Sequence, residues 1–287
     1  MASILIAGCG MTGAEVARSL VDSGHHVYGL KRHPPTDERD INYIKADLTS
    51  SADLEAIHVK IDLVVYILSP DDRSEQSYRD VFERGVHNVL QVFTQQSAAT
   101  RFIFISSTSV YGQMNGEWVD ENSLTEPKSV TAKIILNAER AFLANSRRNC
   151  VIRFSGIYGR GKSYLLDAVA NSREVQYEPP CYTNRIHWQD CVRVILFIAG
   201  KMIDHENLES VYLASDNDPA PKWEVFNYLA NRLDLEPPQK AALPQNTAQN
   251  KRCSNRRLKQ LGFRFKYSSY RDGYRHIGPS DAGGKPG

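Results

Sequence analysis

The run Ser3-Ile4-Leu5-Ile6-Ala7-Gly8-Cys9-Gly10-Met11-Thr12-Gly13 decides the fold. Its first five residues are short, apolar and β-prone, and they stop at Gly8. A helical pattern follows at once, with Val16, Ala17, Leu20 and Val21 on one face. Strand, glycine turn and helix are therefore expected in that order. Gly8, Gly10 and Gly13 carry the G-x-G-x-x-G spacing in the setting its mechanism needs. The turn lets backbone approach a pyrophosphate, and the helix start at Met11 and Thr12 offers N–H groups and the positive end of the helix dipole. A dinucleotide is the expected ligand; a purely structural turn is the alternative.

Working outward, Val27 to Leu30 and Ile41 to Ile44 read as strands, and Leu63 to Leu68 is the continuous apolar run of a strand buried on both faces. Ser51 to His58 suits a short crossover helix and Ser74 to Gln96 a long amphipathic one. Phe102 to Ile105, Ser129 to Ala144 and Val151 to Phe154 continue as strand, helix, strand. This alternation predicts an α/β fold with a doubly wound parallel sheet of the Rossmann type. After Gly156 prolines break the rhythm into short elements: helices near Leu165 to Ser172, Asp190 to Ala199 and Lys222 to Leu233, with a strand at Val211 to Ala214. The expected division is residues 1–155 as the dinucleotide-binding domain, with elements of about 185–215 returning to it. Residues 156–277 form a small mixed substrate-binding lobe, and 278–287 a disordered tail.

At 287 residues and 41% apolar, the chain is large enough for a sizeable core. Its 35 basic and 33 acidic residues leave a net charge of +2, which argues against a global field for nucleic acid or an anionic membrane. There is no apolar run of about 18 residues, and the first residues lack a basic n-region and a cleavage site. A soluble, cytoplasmic protein without a membrane partner is expected. The five cysteines form no C-x-x-C pair, so neither a disulfide framework nor a metal site is indicated.

Cofactor choice rests on the end of the second strand, Gly29-Leu30-Lys31-Arg32-His33. An acidic residue there would accept the ribose 2′-hydroxyl of NAD, whereas Lys31 and Arg32 suit the 2′-phosphate of NADP. NADP is favoured, with NAD left open; otherwise the two cations are ordinary solvated charges.

Four further segments occur in order: Asp47-Leu48, Ser106-Ser107-Thr108-Ser109-Val110-Tyr111-Gly112, Arg153-Phe154-Ser155-Gly156-Ile157-Tyr158-Gly159 and Arg185-Ile186-His187-Trp188-Gln189-Asp190. With the glycine turn they resemble the extended short-chain dehydrogenase/reductases over about residues 3 to 275. More narrowly, the chain is similar to the nucleoside-diphosphate-sugar epimerases and dehydratases. The resemblance implies that Asp47 contacts adenine, that Leu48 lines its pocket, and that the stretch from Tyr66 through Ile67 and Leu68 to Ser69 passes the ribose and pyrophosphate. A turn or helix cap is the alternative role for Asp47. It also implies that Ser107, beside Ser106, holds the reacting oxygen.

In the same family a Y-x-x-x-K on the next helix moves the proton, within a stretch P-x-S-P-Y-x-x-x-K-x-x-x-E. Here Thr131 stands in place of Tyr and Ile135 in place of Lys, followed by Glu139. A Thr hydroxyl does not ionise near neutrality, whereas a phenol near 10 can be pulled down by a cation. Lys133 lies about 200° around the helix from the expected Lys. It is either a shifted replacement or a solvated lysine. Tyr111 and Tyr158, each just after a strand, are candidate replacement phenols or packing rings. This departure places the chain with the atypical branch of the superfamily.

Arg153, Tyr158, Arg185 and His187 are the candidate substrate wall, since arginines suit a diphosphate. His187 and Asp190 could instead cap and brace a helix. The basic, aromatic segment Lys251 to His276 is expected to pack and recognise an anion rather than bind nucleic acid. The helices near 74–96 and 129–144 correspond to the pair that joins many relatives, implying a homodimer. The combined expectation is an NADP-binding oxidoreductase or epimerase for a small or sugar-nucleotide substrate. The alternative is a noncatalytic NADP-sensing regulator or scaffold.

Overall fold

The computed structural model describes residues 1–38, 40–159, 164–242, 249–278 and 281. Apart from Gly278 and Asp281, the tail expected at 278–287 lies outside the described residues. In chain order the elements begin with β1 (Ser3–Ala7), α1 (Met11–Asp22), β2 (His26–Lys31), β3 (Asn42–Lys45), α2 (Ser51–Glu55) and β4 (Leu63–Tyr66). Next come α3 (Glu75–Arg79), α4 (Val86–Gln96), β5 (Arg101–Ser107), β6 (Glu117–Val119), α5 (Val130–Asn145), β7 (Cys150–Phe154) and β8 (Gly156–Tyr158). They are followed by α6 (Tyr164–Asn171), β9 (Glu174–Gln176), β10 (Tyr182–Thr183), β11 (Arg185–His187), α7 (Trp188–Ile203) and β12 (Val211–Ala214). The chain continues through β13 (Ala220–Pro221), α8 (Lys222–Arg232), β14 (Gln239–Ala241), β15 (Lys251–Cys253), α9 (Arg256–Gln260) and α10 (Tyr270–Gly273).

The main sheet is seven-stranded and parallel, in the order β12-β7-β5-β4-β1-β2-β3. Ala7 pairs with Leu30 on one side and Tyr66 on the other, so the chain runs outward from β1 in one direction and then resumes in the opposite one. That reversal puts the glycine turn at a switch point, beside the carboxyl ends of the strands where ligands bind in such sheets. All four residues of β4 are buried, as its unbroken apolar run requires.

The helix read from 74 to 96 has one irregularity. Residues Asp80–Gly85 form a π turn between α3 and α4. The buried Tyr66 hydroxyl donates to the Val81 carbonyl at 2.5 Å, taking the acceptor that the N–H of Gly85 would use in a regular α-helix. A Cβ on Gly85 would stand 2.7 Å from that hydroxyl, so glycine makes room for the insertion.

The chain divides into two compact units. Unit 1 comprises residues 1–110, 126–153 and 192–212; unit 2 comprises 111–125, 154–191 and 213–287. Unit 2 has its own apolar core, in which Leu166 and Val169 of α6 meet Val225, Phe226 and Leu229 of α8 and Tyr270. Parallel pairing of β6 with β15, Glu117 opposite Lys251, places residues 111–125 in this unit, a placement that strand–helix alternation alone does not predict. Likewise β11 pairs with β8 inside unit 2, so the return to unit 1 begins at 192 rather than near 185.

All five cysteines are buried and free. Among the described residues no helix is long and apolar enough to cross a membrane, and no three His, Cys, Asp or Glu side chains gather as metal ligands.

Candidate functional site

Gly8 has φ +98°, and a Cβ there would lie 2.2 Å from the Ile67 carbonyl oxygen and 2.6 Å from Leu68 Cγ. A side chain is therefore excluded both by the backbone and by the segment beyond β4. Gly13 is closed by contact alone, because its Cβ would meet the Gly8 oxygen at 2.5 Å. Gly10 differs: its φ of −77° suits any residue, and nothing lies within 4 Å of where its Cβ would be. The open side of Gly10 adjoins the start of α1, which has neither a side-chain cap nor an acidic residue in its first turn. Bare N–H groups, a positive dipole end and an unfilled approach fit a pyrophosphate.

At the end of β2, Lys31 is half-buried and Arg32 is exposed, its Nη2 2.6 Å from Asp71 Oδ1. Glu38, the nearby acid, is occupied: Arg18 donates to it at 2.7 Å and the Tyr43 hydroxyl at 2.8 Å, and these bonds hold its carboxyl below the usual range. Asp47 Oδ1 accepts from the Thr49 N–H and hydroxyl, both at 2.8 Å. Its other carboxylate oxygen has no partner among the described residues, so turn capping leaves one acceptor over. Leu48 is buried, and its carbonyl accepts from Asn88 Nδ2 at 2.9 Å. The structure thus brings Gly8, Ile67 and Leu68 into contact around the turn.

Ser106 and Ser107 end β5 with opposite fates. Ser106 is buried and donates to Glu139 Oε1 at 2.5 Å; Arg153 clamps the same carboxylate, Nε to Oε1 at 3.0 Å and Nη2 to Oε2 at 2.7 Å. Arg153, read as part of a substrate wall, is thus buried against α5 and joins Glu139 in tying α5 to β5 and β7. Ser107 is half-buried, and its Oγ accepts from the Ser109 N–H at 3.1 Å. On α5, Ile135 is buried, Thr131 is half-buried and Lys133 is exposed, as its helical phase requires.

In unit 2 both candidate phenols are buried and bonded to backbone. Tyr111 donates to the Asp120 carbonyl at 2.7 Å and Tyr158 to that of Ser269 at 3.3 Å. Burial also pushes the Tyr158 hydroxyl well above the usual phenol range, and its ring stacks on Tyr274 at 4.7 Å. His187 Nδ1 accepts from the Gln189 N–H at 3.3 Å, and desolvation pushes the imidazole down to about 4, so it stays neutral. Asp190 accepts the backbone N–H groups of Lys266 and Tyr267, both at 2.9 Å, bracing the C-terminal segment. Arg185 is buried on β11. Near it lies Asp216, which the sequence reading passed over; a single acid just past a strand carries no signal beyond that position.

Residues 4–207 match the profile of the NAD dependent epimerase/dehydratase family. A solved structure from Methylobacillus flagellatus, described as an NAD-dependent epimerase/dehydratase, is 30% identical, with a TM-score of 0.77 over 96% of this chain and 97% of that one. MoeE5 in complex with UDP-glucuronic acid and NAD shares the fold at 21% identity, with a TM-score of 0.79 over 98% of each chain. Among curated proteins, a 3-beta-hydroxysteroid dehydrogenase of Mycolicibacterium neoaurum is 29% identical over 192 residues, 58% of this chain and 50% of that protein. The chain therefore spans about half the length of that relative.

Proposed function

Because the chain belongs to the NAD-dependent epimerase/dehydratase family, we propose that it is a cytoplasmic oxidoreductase or epimerase in which unit 1 holds NADP and unit 2 holds the substrate. The substrate is a small or nucleotide-linked molecule that reacts at a hydroxyl or carbonyl carbon. Gly10 is the observation that carries this reading. Neither its backbone angle nor any neighbour in the protein calls for glycine, whereas a pyrophosphate approaching α1 does. When bound, the dinucleotide supplies hydride transfer at its nicotinamide. The N–H groups at the start of α1 hold the diphosphate, the free oxygen of Asp47 accepts from adenine, and Lys31 and Arg32 take the 2′-phosphate. The Ser107 hydroxyl orients the reacting oxygen, and with Thr131 and Ile135 in the relay positions the proton passes by way of water.

Arg32 gives a direct test of cofactor choice. Its exposed pair with Asp71 is worth about 0–1 kcal/mol, whereas a charge-assisted bond to phosphate contributes roughly 1.5–3 kcal/mol. Exchange of Asp71 for a 2′-phosphate is therefore favourable. Fluorescence titration should find NADPH bound more tightly than NADH, and Arg32→Ala should remove about tenfold or more of that preference. Tighter NADH binding by the unaltered protein would refute the choice of NADP.

Thr131 and the buried Ile135 favour a second reading, a cofactor-binding regulator or scaffold without turnover. Incubation with NADPH and a panel of carbonyl substrates and sugar nucleotides separates the two. A change in nicotinamide absorbance or in sugar configuration supports catalysis; tight NADPH binding with neither supports the regulator.

A homodimer belongs to the same proposal. A cavity of about 430 Å³ between α4 and α5 is lined by Phe82, Val86, Leu90, Ala138 and Ala141, a face that a second copy would cover. Light scattering should give twice the chain mass at micromolar concentration; a monomeric mass would end the idea.

A further inference from the structure

We infer that Arg185, Asp216, Tyr270 and Tyr274 form an internal site in unit 2 that binds a carboxylate group. The inference rests on the reading of unit 2 as the substrate lobe, and it supplies a chemical class for the substrate. All four residues are buried, the most exposed at 5%. The Arg185 guanidinium donates to the Thr183 carbonyl at 3.5 Å and to its hydroxyl, and its Cζ lies 5.2 Å from the centre of the Tyr270 ring. No carboxylate forms an ion pair with it among the described residues. A buried cation without an anion is an expensive arrangement, because desolvation is left uncompensated.

Around this cation the structure leaves polar atoms unused. Asp216 Oδ1 accepts from the Asp218 N–H at 3.1 Å, but Oδ2 has no partner, and the hydroxyls of Tyr270 and Tyr274 have none either. Asp216, Tyr270 and Tyr274 all act electrostatically on Arg185, yet Asp216 stays beyond the 4.0 Å of an ion pair. Buried polar atoms are rarely left unpaired, so several around one lone cation point to a missing ligand.

The donor set selects the ligand. Burial pushes the Asp216 carboxyl up to about 8, so at neutral pH it presents an O–H. Two phenols and the remaining guanidinium N–H groups are also donors. Together they carry a single positive charge. A carboxylate supplies one negative charge and about four lone-pair sites. A neutral amide would leave Arg185 uncompensated, and a phosphate dianion would bury a surplus negative charge. The remaining charged neighbours are Asp190 and Asp218 towards Asp216, and Arg271, Asp218 and Glu224 towards Tyr270. Tyr164, 58% exposed at the start of α6, acts electrostatically on both Arg185 and Tyr274.

The test uses the full chain without cofactor, titrated at constant ionic strength with acetate and glycolate, and with acetamide and inorganic phosphate as comparators. Binding is read by amide chemical shifts. Saturable binding of the carboxylates, with acetamide and phosphate weaker, is expected, and it should weaken as the pH rises through about 8 and Asp216 ionises. The double variant Tyr270→Phe/Tyr274→Phe keeps both rings and removes two hydroxyls that are unpaired in the free protein. It should be at least as stable as the parent in urea, yet bind carboxylates at least about tenfold more weakly. Absence of saturable carboxylate binding, equal binding of acetamide or phosphate, or unchanged carboxylate affinity in the Phe variant would each overturn the proposal. No readout involves NADPH or turnover, so its failure is distinct from failure of the proposed activity.

Discussion

Glu139→Ala is expected to destabilise the protein by about 3–5 kcal/mol, because it leaves the Arg153 guanidinium buried without its anion. Both side chains are almost wholly inaccessible, at 6% and 1%, so solvent screening does not soften the loss as it would at a surface pair. The Ser106 hydroxyl loses its acceptor at the same time, adding a second unsatisfied group. Equilibrium urea unfolding measures the effect directly. Removing both charges with Glu139→Leu and Arg153→Met should recover much of the stability, because an apolar pair of similar volume avoids the desolvation penalty altogether. A single Glu139→Ala variant within about 1 kcal/mol of the parent would show that the network carries little.

Gly8→Ala should be comparably damaging for a different reason. At φ +98° a Cβ brings about 1–3 kcal/mol of backbone strain, and its 2.2 Å approach to the Ile67 carbonyl forces the turn away from the end of β4. A loss of at least about 3 kcal/mol in stability is expected, together with loss of measurable NADPH binding. Gly10→Ala separates structure from ligand. Its φ of −77° and empty surroundings bring no strain or clash, and the unfolded-chain gain offsets the N-cap preference for Gly over Ala, so stability should change by no more than about 1 kcal/mol. NADPH binding should nonetheless fall by about tenfold or more, because the new methyl occupies the approach to α1. Calorimetric titration beside thermal unfolding reads both quantities. An unchanged NADPH affinity in Gly10→Ala would mean that the open space at this turn is not where the diphosphate sits.

The parallel sheet was legible because β1, β4, β5 and β7 are apolar runs and patterned helices follow the first three of them. Ser3–Ala7 and Val211–Ala214 match their predicted limits, and β4 is buried throughout. The π turn was not legible, since it depends on a hydroxyl from another element, Tyr66, reaching Val81. Nor were the two-residue strands of unit 2, where pairing of Tyr182–Thr183 with Ala220–Pro221 replaces any periodic signal. At the site, glycine spacing located the turn because backbone geometry constrains residue type there. Arg153 and Tyr158 were visible as motif residues, but motif spacing says nothing of partners. Glu139 and Ser269 decide that one is an ion pair and the other a packed ring. Asp216 was invisible because its significance lies in the partner it lacks.

The chain passes between the two units five times, at residues 110, 125, 153, 191 and 212. For biosynthesis this means that neither unit exists as a contiguous stretch. Strand β7 remains an uncovered parallel edge until β12 emerges from the ribosome some sixty residues later, with its backbone N–H and C=O groups open to any passing chain. A fragment ending near residue 155, where strand–helix rhythm places the boundary, would keep that edge permanently. A strand from the last third of the chain, β12, is therefore what closes the sheet edge left by β7 in the middle third.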